Sequence, residues 1–179
     1  HYLPELVGTN KAAITIEDLL LHRSGLVSFY PKLWERTKTG GGGLMTEYYS
    51  SIRDSVYSMQ IAPKLFAKPA LRDSVWKGII QSPMRKEVNG KHSFVYSDLG
   101  ILVLQKVVER ITNQPLDEFL SQNFYEPLGM MTTTYSPLGR FPESQIAPTE
   151  NDFSYRNQLL RGTVHDQMAA VYGGVAGHA

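Results

Sequence analysis

The sequence predicts a mainly α fold with short β segments. Apolar residues recur at helical spacing in several stretches, of which the longest runs from Leu99 to Ile111. Asn89-Gly90 is a strong turn signal between short flanks and predicts a small hairpin that leads into residues 93–96. With 42% hydrophobic and 20% charged residues among 179, the chain can bury a core, as one domain or as a large piece of one.

The first predicted helix covers Thr15 to His22. Thr15 is a good capping residue, and the acidic Asp18 stands three positions further on. Gly25 follows the predicted end, where a residue in the left-handed conformation commonly closes a helix. We interpret this segment as structural.

Two further helices are predicted in the first half of the chain. The run MTEYYSSIRDSVYSM follows a glycine-rich stretch, begins with Thr46 as its cap and carries apolar residues at helical spacing. The run LRDSVWKGIIQ, residues 71–81, shows the same period. Pro63 and Pro69 predict irregular chain between the two helices.

The strongest amphipathic pattern begins next to Asp98. Five apolar residues fall on one face of this predicted helix: Leu99, Leu102, Val103, Val107 and Ile111. The run PLDEFLSQNFYEPLGM predicts another helix, with Pro115 in its first turn and four apolar residues directed inward: Leu116, Phe119, Leu120 and Phe124. Residues 130–157 are predicted to be mostly loop, with one short strand at Thr132–Tyr135.

Composition excludes several classes of function. The formal net charge is +1 and no cluster of Lys and Arg interleaved with aromatic residues stands out, so we expect no nucleic-acid partner. The absence of cysteine excludes disulfides and thiolate nucleophiles but leaves the compartment open. No apolar run reaches the roughly 18 residues of a membrane helix, so we expect no membrane span. The chain starts at His1 without an initiator Met and ends in GGVAGHA, and we expect a fragment at both ends.

The triplet Tyr96-Ser97-Asp98 stands at the start of the strongest helix. The positive end of a helix favours a phenolate by about 0.3 to 1 kcal/mol, whereas bringing a tyrosine pKa from about 10 to neutral needs about 4 kcal/mol. Tyr96 can therefore act as a general base only with a cation close by, most plausibly a lysine. The structural alternative is that Asp98 is the N-cap and Tyr96 a half-buried aromatic whose hydroxyl meets water.

Three stretches carry a family resemblance. YLPELVGTNKAAITIEDLLLHRSGL contains Asp-Leu-Leu-x-His-x-Ser-Gly-Leu, and FVYSDLGILVLQKVVERITNQPLDEFLSQNFYEPLGM has Tyr-x-Asp at a helix start with Pro-Leu-Gly-Met after it. In this order they resemble the serine β-lactamase-like hydrolases, the group of class C β-lactamases, D-Ala-D-Ala carboxypeptidases and related esterases. The last stretch, IAPTENDFSYRNQLLRGTVHDQMAAVYGGVAGHA, is similar to a branch often fused to a glycoside hydrolase.

The resemblance covers nearly the whole chain and is weakest from Tyr30 to Lys91. It implies the helical lobe of the α+β β-lactamase/transpeptidase-like fold. Residues 1–179 would then form a single partial domain that lacks the nucleophile helix and the C-terminal sheet.

The resemblance also implies roles for two residues. Tyr96 takes the position of the catalytic tyrosine, which shares protons with the nucleophilic serine and the leaving group. Asp98 takes the position of an asparagine that holds the lysine and the substrate amide. Since a carboxylate pairs with an ammonium but cannot donate a hydrogen bond to an acyl side chain, penicillin-like recognition is in more doubt than hydrolysis. The other register, Ser97-Asp98-Leu99 as Ser-Asp-Asn, puts an apolar Leu99 where an amide belongs, so the tyrosine register is preferred.

The mechanism of the group also needs a Ser-x-x-Lys and a Lys-Thr-Gly or His-x-Gly strand. Both strings occur, as Ser74-Val75-Trp76-Lys77 and Lys38-Thr39-Gly40, but common residues produce such short matches by chance. In the family the Lys-Thr-Gly comes last, whereas here it would come first. We interpret both strings as decoys and expect the true serine and lysine before His1 and the third motif after Ala179.

The remaining candidates are weaker. His165-Asp166 suggests a pair of metal ligands, but adjacent side chains diverge and no further ligand cluster accompanies them, so we expect no metal and no cofactor. His22 and His178 belong to the family marks, and we assign both to hydrogen bonds of the scaffold.

The resemblance implies a function for the parent protein. It would be a serine hydrolase that cleaves an amide or ester through an acyl-serine, acting on a small-molecule or peptidoglycan-derived substrate after export to the periplasm. The fragment itself lacks nucleophile and oxyanion hole and is expected to be inactive. The alternative is a non-catalytic lobe of a cell-envelope protein that binds glycan or serves as a scaffold.

Overall fold

A computed structural model describes residues 2–29 and 35–173 of the chain. The α-helices in these ranges are α1 (Ile16–Leu20), α2 (Ala70–Gln81), α3 (Asp98–Thr112), α4 (Leu116–Leu120) and α5 (Gln167–Tyr172). The strands are β1 (Tyr49–Ser50), β2 (Met59–Ala62), β3 (Leu65–Ala67), β4 (Pro148–Asp152) and β5 (Gln158–Arg161). Helix outweighs strand among the described residues, as the sequence predicts.

The described residues form two compact units. The first unit contains residues 2–29 and 77–133, and the second contains residues 35–76 and 134–173. Each unit has apolar side chains in its interior, and each is described by itself below.

In the first unit, α1 packs against α3, and α4 follows α3 in contact with it. The buried apolar residues come from all three helices and from the segments beside them: Leu3, Leu19, Leu26, Ile79, Leu99, Leu102, Val103, Val107 and Leu116. Because α3 contacts both α1 and α4, it is the central helix of this unit.

The second unit contains two small antiparallel sheets. One has the strand order β1-β3-β2, and the other is the β4–β5 hairpin. Helix α5 packs against β2. The buried residues of this unit include Tyr49, Ile61, Ala62, Ala67, Tyr155, Leu160 and Met168.

Several local predictions are confirmed. Thr15 and Asp18 form a reciprocal capping box at α1: the Asp18 backbone N–H donates to Thr15 Oγ1 and the Thr15 N–H donates to Asp18 Oδ2, each at 3.0 Å. Helix α2 covers the predicted segment. Asn89 and Gly90 both have positive φ in a tight turn, flanked by a bridge between Val88 and Lys91.

The helix predicted after Thr46 is wrong. Residues 46–58 form turns, bends and the short strand β1, which pairs with β3. Asp54 supplies one local reason, because its Oδ1 accepts hydrogen bonds from the backbone N–H groups of Val56 (2.8 Å) and Tyr57 (2.7 Å). Such side-chain bonds offer the backbone an alternative to the helix ladder.

The prediction for residues 130–157 is wrong in two places. Thr132–Tyr135 is not a strand, since this stretch forms turns and bends after the Met130 carbonyl accepts the Thr133 N–H. A strand occurs instead at β4, where Pro148–Asp152 pairs with Gln158–Arg161. The polar composition of β4 concealed it, because only its last residue is buried.

Two apolar faces extend less far than predicted. On α3 the residues up to Val107 are buried, but Ile111 in the last turn is 59% exposed. On α4 only Leu116 is buried, and the chain continues past Leu120 as a π-helical turn in which Phe124 is 48% exposed. Pro115 is the N-cap of α4 and precedes its first turn.

Candidate active site

The segment Tyr96-Ser97-Asp98 lies in the first unit, directly before and at the start of α3. Tyr96 is 42% exposed, Ser97 is buried and Asp98 is half-buried. An exposed phenol and a carboxylate therefore flank a buried hydroxyl at the positive end of the longest described helix.

Ser97 is the N-cap of α3, and the prediction that Asp98 is the cap is wrong. Ser97 Oγ accepts a hydrogen bond from the Gly100 N–H at 3.2 Å and donates one to the Val27 carbonyl at 2.8 Å. Asp98 is the first helical residue, where a carboxylate interacts favourably with the helix dipole. Since Ser97 carries the cap, the carboxylate of Asp98 is not needed for that task.

A loop from the sequence mark HRSGLVS, residues 22–28, holds this segment from outside the helix. The Val95 N–H donates to the His22 carbonyl at 3.0 Å, and the Asp98 N–H donates to the Ser28 carbonyl at 3.0 Å. These bonds tie the loop to the segment that carries the candidate tyrosine. Two of the three stretches that carry the family resemblance are therefore joined in space.

The side chain of His22, in the same loop, contacts the segment that carries Tyr96. Its Nδ1 accepts a hydrogen bond from the Ser97 N–H at 3.2 Å. Its ring centroid lies 4.6 Å from that of Tyr96, tilted by 40°, and 5.9 Å from that of Phe94, edge-on. The assignment of His22 to scaffold hydrogen bonds is confirmed, while His178 lies outside the described residues.

Arg85 is a residue of this site that sequence reasoning missed. Its backbone N–H donates to the Gly25 carbonyl at 2.7 Å and its Nε donates to the Leu26 carbonyl at 3.2 Å. Its Nη2 donates to the Ser93 carbonyl at 2.8 Å. Arg85 thus ties the loop to the segment that leads into Tyr96. The sequence gives no signal for it, because Arg85 belongs to no motif with a recognisable spacing.

Gly25 is required by the geometry of the same loop. Its φ of +78° lies in the left-handed region, and a Cβ built there would overlap the imidazole of His92. The prediction that Gly25 closes α1 is wrong, because His22 (φ +52°) is the left-handed residue after the C-cap Leu21, and the His22 and Arg23 N–H groups donate to the Leu19 and Asp18 carbonyls. Gly25 instead makes room for a neighbouring ring.

The two decoy strings have ordinary structural surroundings. Ser74 and Lys77 are exposed on α2, and Ser74 Oγ donates to the Ala70 carbonyl at 3.1 Å. Lys38 Nζ donates to the Ser154 carbonyl. Lys38 also bridges to Leu44 across the glycine-rich turn.

His165-Asp166 is explained by the start of α5 in the second unit. Asp166 is the N-cap and its Oδ1 accepts a hydrogen bond from the Ala169 N–H at 2.6 Å. The His165 carbonyl accepts a hydrogen bond from Arg156. In the part of the chain that the structure describes, no group of three or more His, Cys, Asp or Glu side chains is placed to hold a metal ion.

A buried ion pair dominates the electrostatics of the second unit. Arg156 Nε lies 2.8 Å from Asp152 Oδ2, and both side chains are fully buried. Burial alone would raise the pKa of Asp152, but hydrogen bonds from Arg156 and from the Tyr155 and Arg156 backbone outweigh it and hold this pKa below its usual range. The carboxylate is therefore stably ionised at neutral pH.

The chain is similar to a known protein family over most of its length. The family model described as Beta-lactamase matches residues 1–169, so the chain belongs to the Beta-lactamase family. Its fold is the fold of that family. No solved structure matches the chain.

Curated relatives share this membership. The chain is 32% identical over 182 residues to N-acetylmuramyl-L-alanine amidase of Bacillus subtilis, a match that covers 94% of this chain and 35% of the relative. It is 35% identical over 113 residues to the Putative D-alanyl-D-alanine carboxypeptidase of Escherichia coli K12, covering 56% and 26%. A Salmonella schwarzengrund protein with the same description is 34% identical over 131 residues, covering 66% and 29%. The matches thus span about a third or less of each relative.

Among the helices that the structure describes, none combines the length and the apolar character needed to cross a lipid bilayer.

Proposed function

We propose that this chain is the helical lobe, a single partial domain of residues 1–179, of a two-lobed serine hydrolase. The enzyme cleaves an amide or an ester through an acyl-serine intermediate. Membership of the Beta-lactamase family supports the class of the fold. The observation that carries the proposal is the exposed phenol of Tyr96, held by a backbone network at the start of α3.

Tyr96 is the proposed base and acid of this reaction. As a base, its phenolate takes the proton from the serine hydroxyl as the serine oxygen attacks the carbonyl. As an acid, the phenol then returns that proton to the leaving group. The 42% exposure of Tyr96 supports this role, because a ring packed inward would have no access to a serine or a lysine.

Asp98 is the proposed partner of the catalytic lysine. Ser97 provides the helix cap, so capping α3 does not require the Asp98 carboxylate, which in this proposal pairs with the lysine ammonium. That ammonium also lowers the cost of the phenolate, which the helix dipole alone cannot do. The serine, its lysine and the oxyanion hole come from polypeptide outside this chain, so residues 1–179 alone are inactive.

The proposed substrate is derived from peptidoglycan. The names of two relatives, an N-acetylmuramyl-L-alanine amidase and a putative D-alanyl-D-alanine carboxypeptidase, support an amide of this kind and a place outside the cytoplasm. The carboxylate of Asp98, in place of an amide, favours substrates whose acyl side chain does not need a hydrogen-bond donor at this position.

The test uses the longer protein that carries this chain, with a fluorescent penicillin and a p-nitrophenyl ester as probes. We expect a covalent acyl group on a serine outside residues 1–179, located by mass spectrometry, and no label on the chain alone. Tyr96→Phe should slow acylation by about 10²- to 10⁴-fold. Tyr2→Phe is a matched control, because Tyr2 is similarly exposed in the same unit.

Two outcomes would contradict the proposal. One is an unchanged acylation rate in Tyr96→Phe. The other is the absence of any acyl-serine from the longer protein, which favours a non-catalytic lobe that binds glycan or serves as a scaffold.

A further inference from the structure

We propose that His22 is a positioning residue for Tyr96, acting through a neutral imidazole that accepts at Nδ1. This inference rests on the proposed function, because it concerns how the proposed catalytic phenol is held. It assigns a chemical role to a residue that otherwise belongs to the scaffold.

The first observation is the hydrogen bond from the Ser97 N–H to His22 Nδ1 at 3.2 Å. An imidazole nitrogen that accepts a hydrogen bond carries no proton, so the ring proton of the neutral form lies on Nε2. Ser97 directly follows Tyr96, and this bond fixes the peptide plane between them. The direction of the Tyr96 side chain depends on that plane.

The second observation is the contact between the two rings. The centroids of His22 and Tyr96 are 4.6 Å apart at a tilt of 40°, so the imidazole supports one face of the phenol. Phe94 meets the edge of the same imidazole at 5.9 Å. The phenol is thus supported from behind while 42% of the residue remains exposed.

The third observation is the backbone of His22 itself. Its φ of +52° is explained by the end of α1, where the His22 and Arg23 N–H groups donate to the Leu19 and Asp18 carbonyls. Its carbonyl also accepts the Val95 N–H at 3.0 Å, so one residue contacts the segment with both its carbonyl and its ring. A residue that only ended α1 would need neither contact. The geometry instead suits a residue that aligns Tyr96.

Three substitutions separate the parts of this role. His22→Asn keeps an acceptor near the Nδ1 position and tolerates the left-handed backbone, but removes the ring. His22→Phe keeps a ring and removes the acceptor. His22→Ala removes both.

The first experiment measures amide hydrogen exchange of Ser97 by NMR in the 179-residue chain. We expect exchange about tenfold faster in His22→Ala and His22→Phe, and within about threefold of wild type in His22→Asn. The Val107 amide, inside α3, reports global stability and corrects each value. Acceleration at Ser97 that does not exceed that at Val107 in His22→Ala would overturn the proposal.

The second experiment measures turnover of a p-nitrophenyl ester by the longer protein. We expect His22→Ala to lower kcat about tenfold with KM within about twofold, and His22→Asn to recover most of the loss. Recovery by His22→Phe and not by His22→Asn would overturn the role of Nδ1. If the wild-type longer protein forms no acyl-serine, the proposed function fails, while the Ser97 exchange data still decide whether His22 positions Tyr96.

Discussion

The two units bury charge in different ways. In the first unit, Lys11 is buried and its ammonium donates to neutral oxygens, the Ser82 carbonyl at 2.6 Å and Asn10 Oδ1 at 3.0 Å. In the second unit, the buried charges are the ion pair of Asp152 and Arg156. Burial lowers the pKa of Lys11, whereas the bonds to Asp152 hold its pKa below its usual value.

This difference shows where each unit depends on ionisation. We expect the first unit to tolerate the loss of its buried charge, because a neutral amine can still donate a hydrogen bond to the same oxygens. We expect the second unit not to tolerate it, since the Asp152 carboxylate also accepts hydrogen bonds from the backbone of the turn after β4.

Asp152→Asn should destabilise the protein by about 3 to 5 kcal/mol, because it leaves the buried Arg156 guanidinium without its counterion. Urea unfolding followed by circular dichroism measures this loss. The matched control is Glu5→Gln, which breaks the partly exposed ion pair with Arg110 (2.8 Å) and should cost about 0 to 1 kcal/mol. Equal losses in the two variants would contradict the contrast.

Gly25→Ala should destabilise the first unit by about 2 kcal/mol or more, because the methyl group meets His92 and alanine resists a left-handed φ. Gly8→Ala is the control. Gly8 also has a positive φ, +80°, but a Cβ there meets no atom within 4 Å. A loss for Gly8→Ala as large as that for Gly25→Ala would show that backbone strain alone explains the effect.

Ser97→Ala should cost about 1 to 2 kcal/mol through loss of the cap and of the bond to Val27. Asp98→Asn, one residue further on, should cost less, about 0.3 to 1 kcal/mol, because it weakens the interaction with the helix dipole. Thermal unfolding of both variants ranks the two residues. The reverse ranking would restore Asp98 as the helix cap.

The smallest effects concern the pH dependence of stability. Asp152 has a lowered folded pKa, so its contribution is present above the ordinary carboxyl pKa and is lost as pH falls through the folded value. Lys11 also has a lowered folded pKa, so the unfolded chain binds the proton more tightly and stability rises with pH from that value toward 10.5. Urea unfolding at several pH values between the folded pKa of Lys11 and 10.5 should give free energies of unfolding that diverge between wild type and Lys11→Met. Parallel curves of unfolding free energy against pH would show that Lys11 does not contribute to the pH dependence of stability.

The parts of the fold that the sequence predicted correctly depend on local signals. The capping box at Thr15 and the turn at Asn89-Gly90 involve residues at most three positions apart, and α2 and α3 follow from apolar periodicity. The prediction of a helix after Thr46 was wrong because the hydrogen-bond partners of Tyr49 are distant in sequence. Its hydroxyl bonds to Thr37, 12 residues away, and to Tyr155, 106 residues away.

In the candidate site, too, local signals were predicted and contacts distant in sequence were not. Tyr96 and Asp98 were located from a motif at a helix start, and their catalytic roles stay predictions. The cap was assigned to the wrong residue, because both Ser97 and Asp98 are good caps, and the bond from the Gly100 N–H to Ser97 Oγ decides between them. Arg85 had no signal at all, since its carbonyl partners belong to chain distant in sequence.

The hydrogen bond between His22 and Ser97 also has a consequence for folding kinetics. It joins residues separated by 75 positions, so the chain must close a long loop before this bond stabilises anything. Helix α3, with 15 residues, forms from local contacts and needs no such closure, so it precedes the contact between His22 and Tyr96. The catalytic geometry proposed here would therefore be among the last features of the first unit to form and among the first to be lost on partial unfolding.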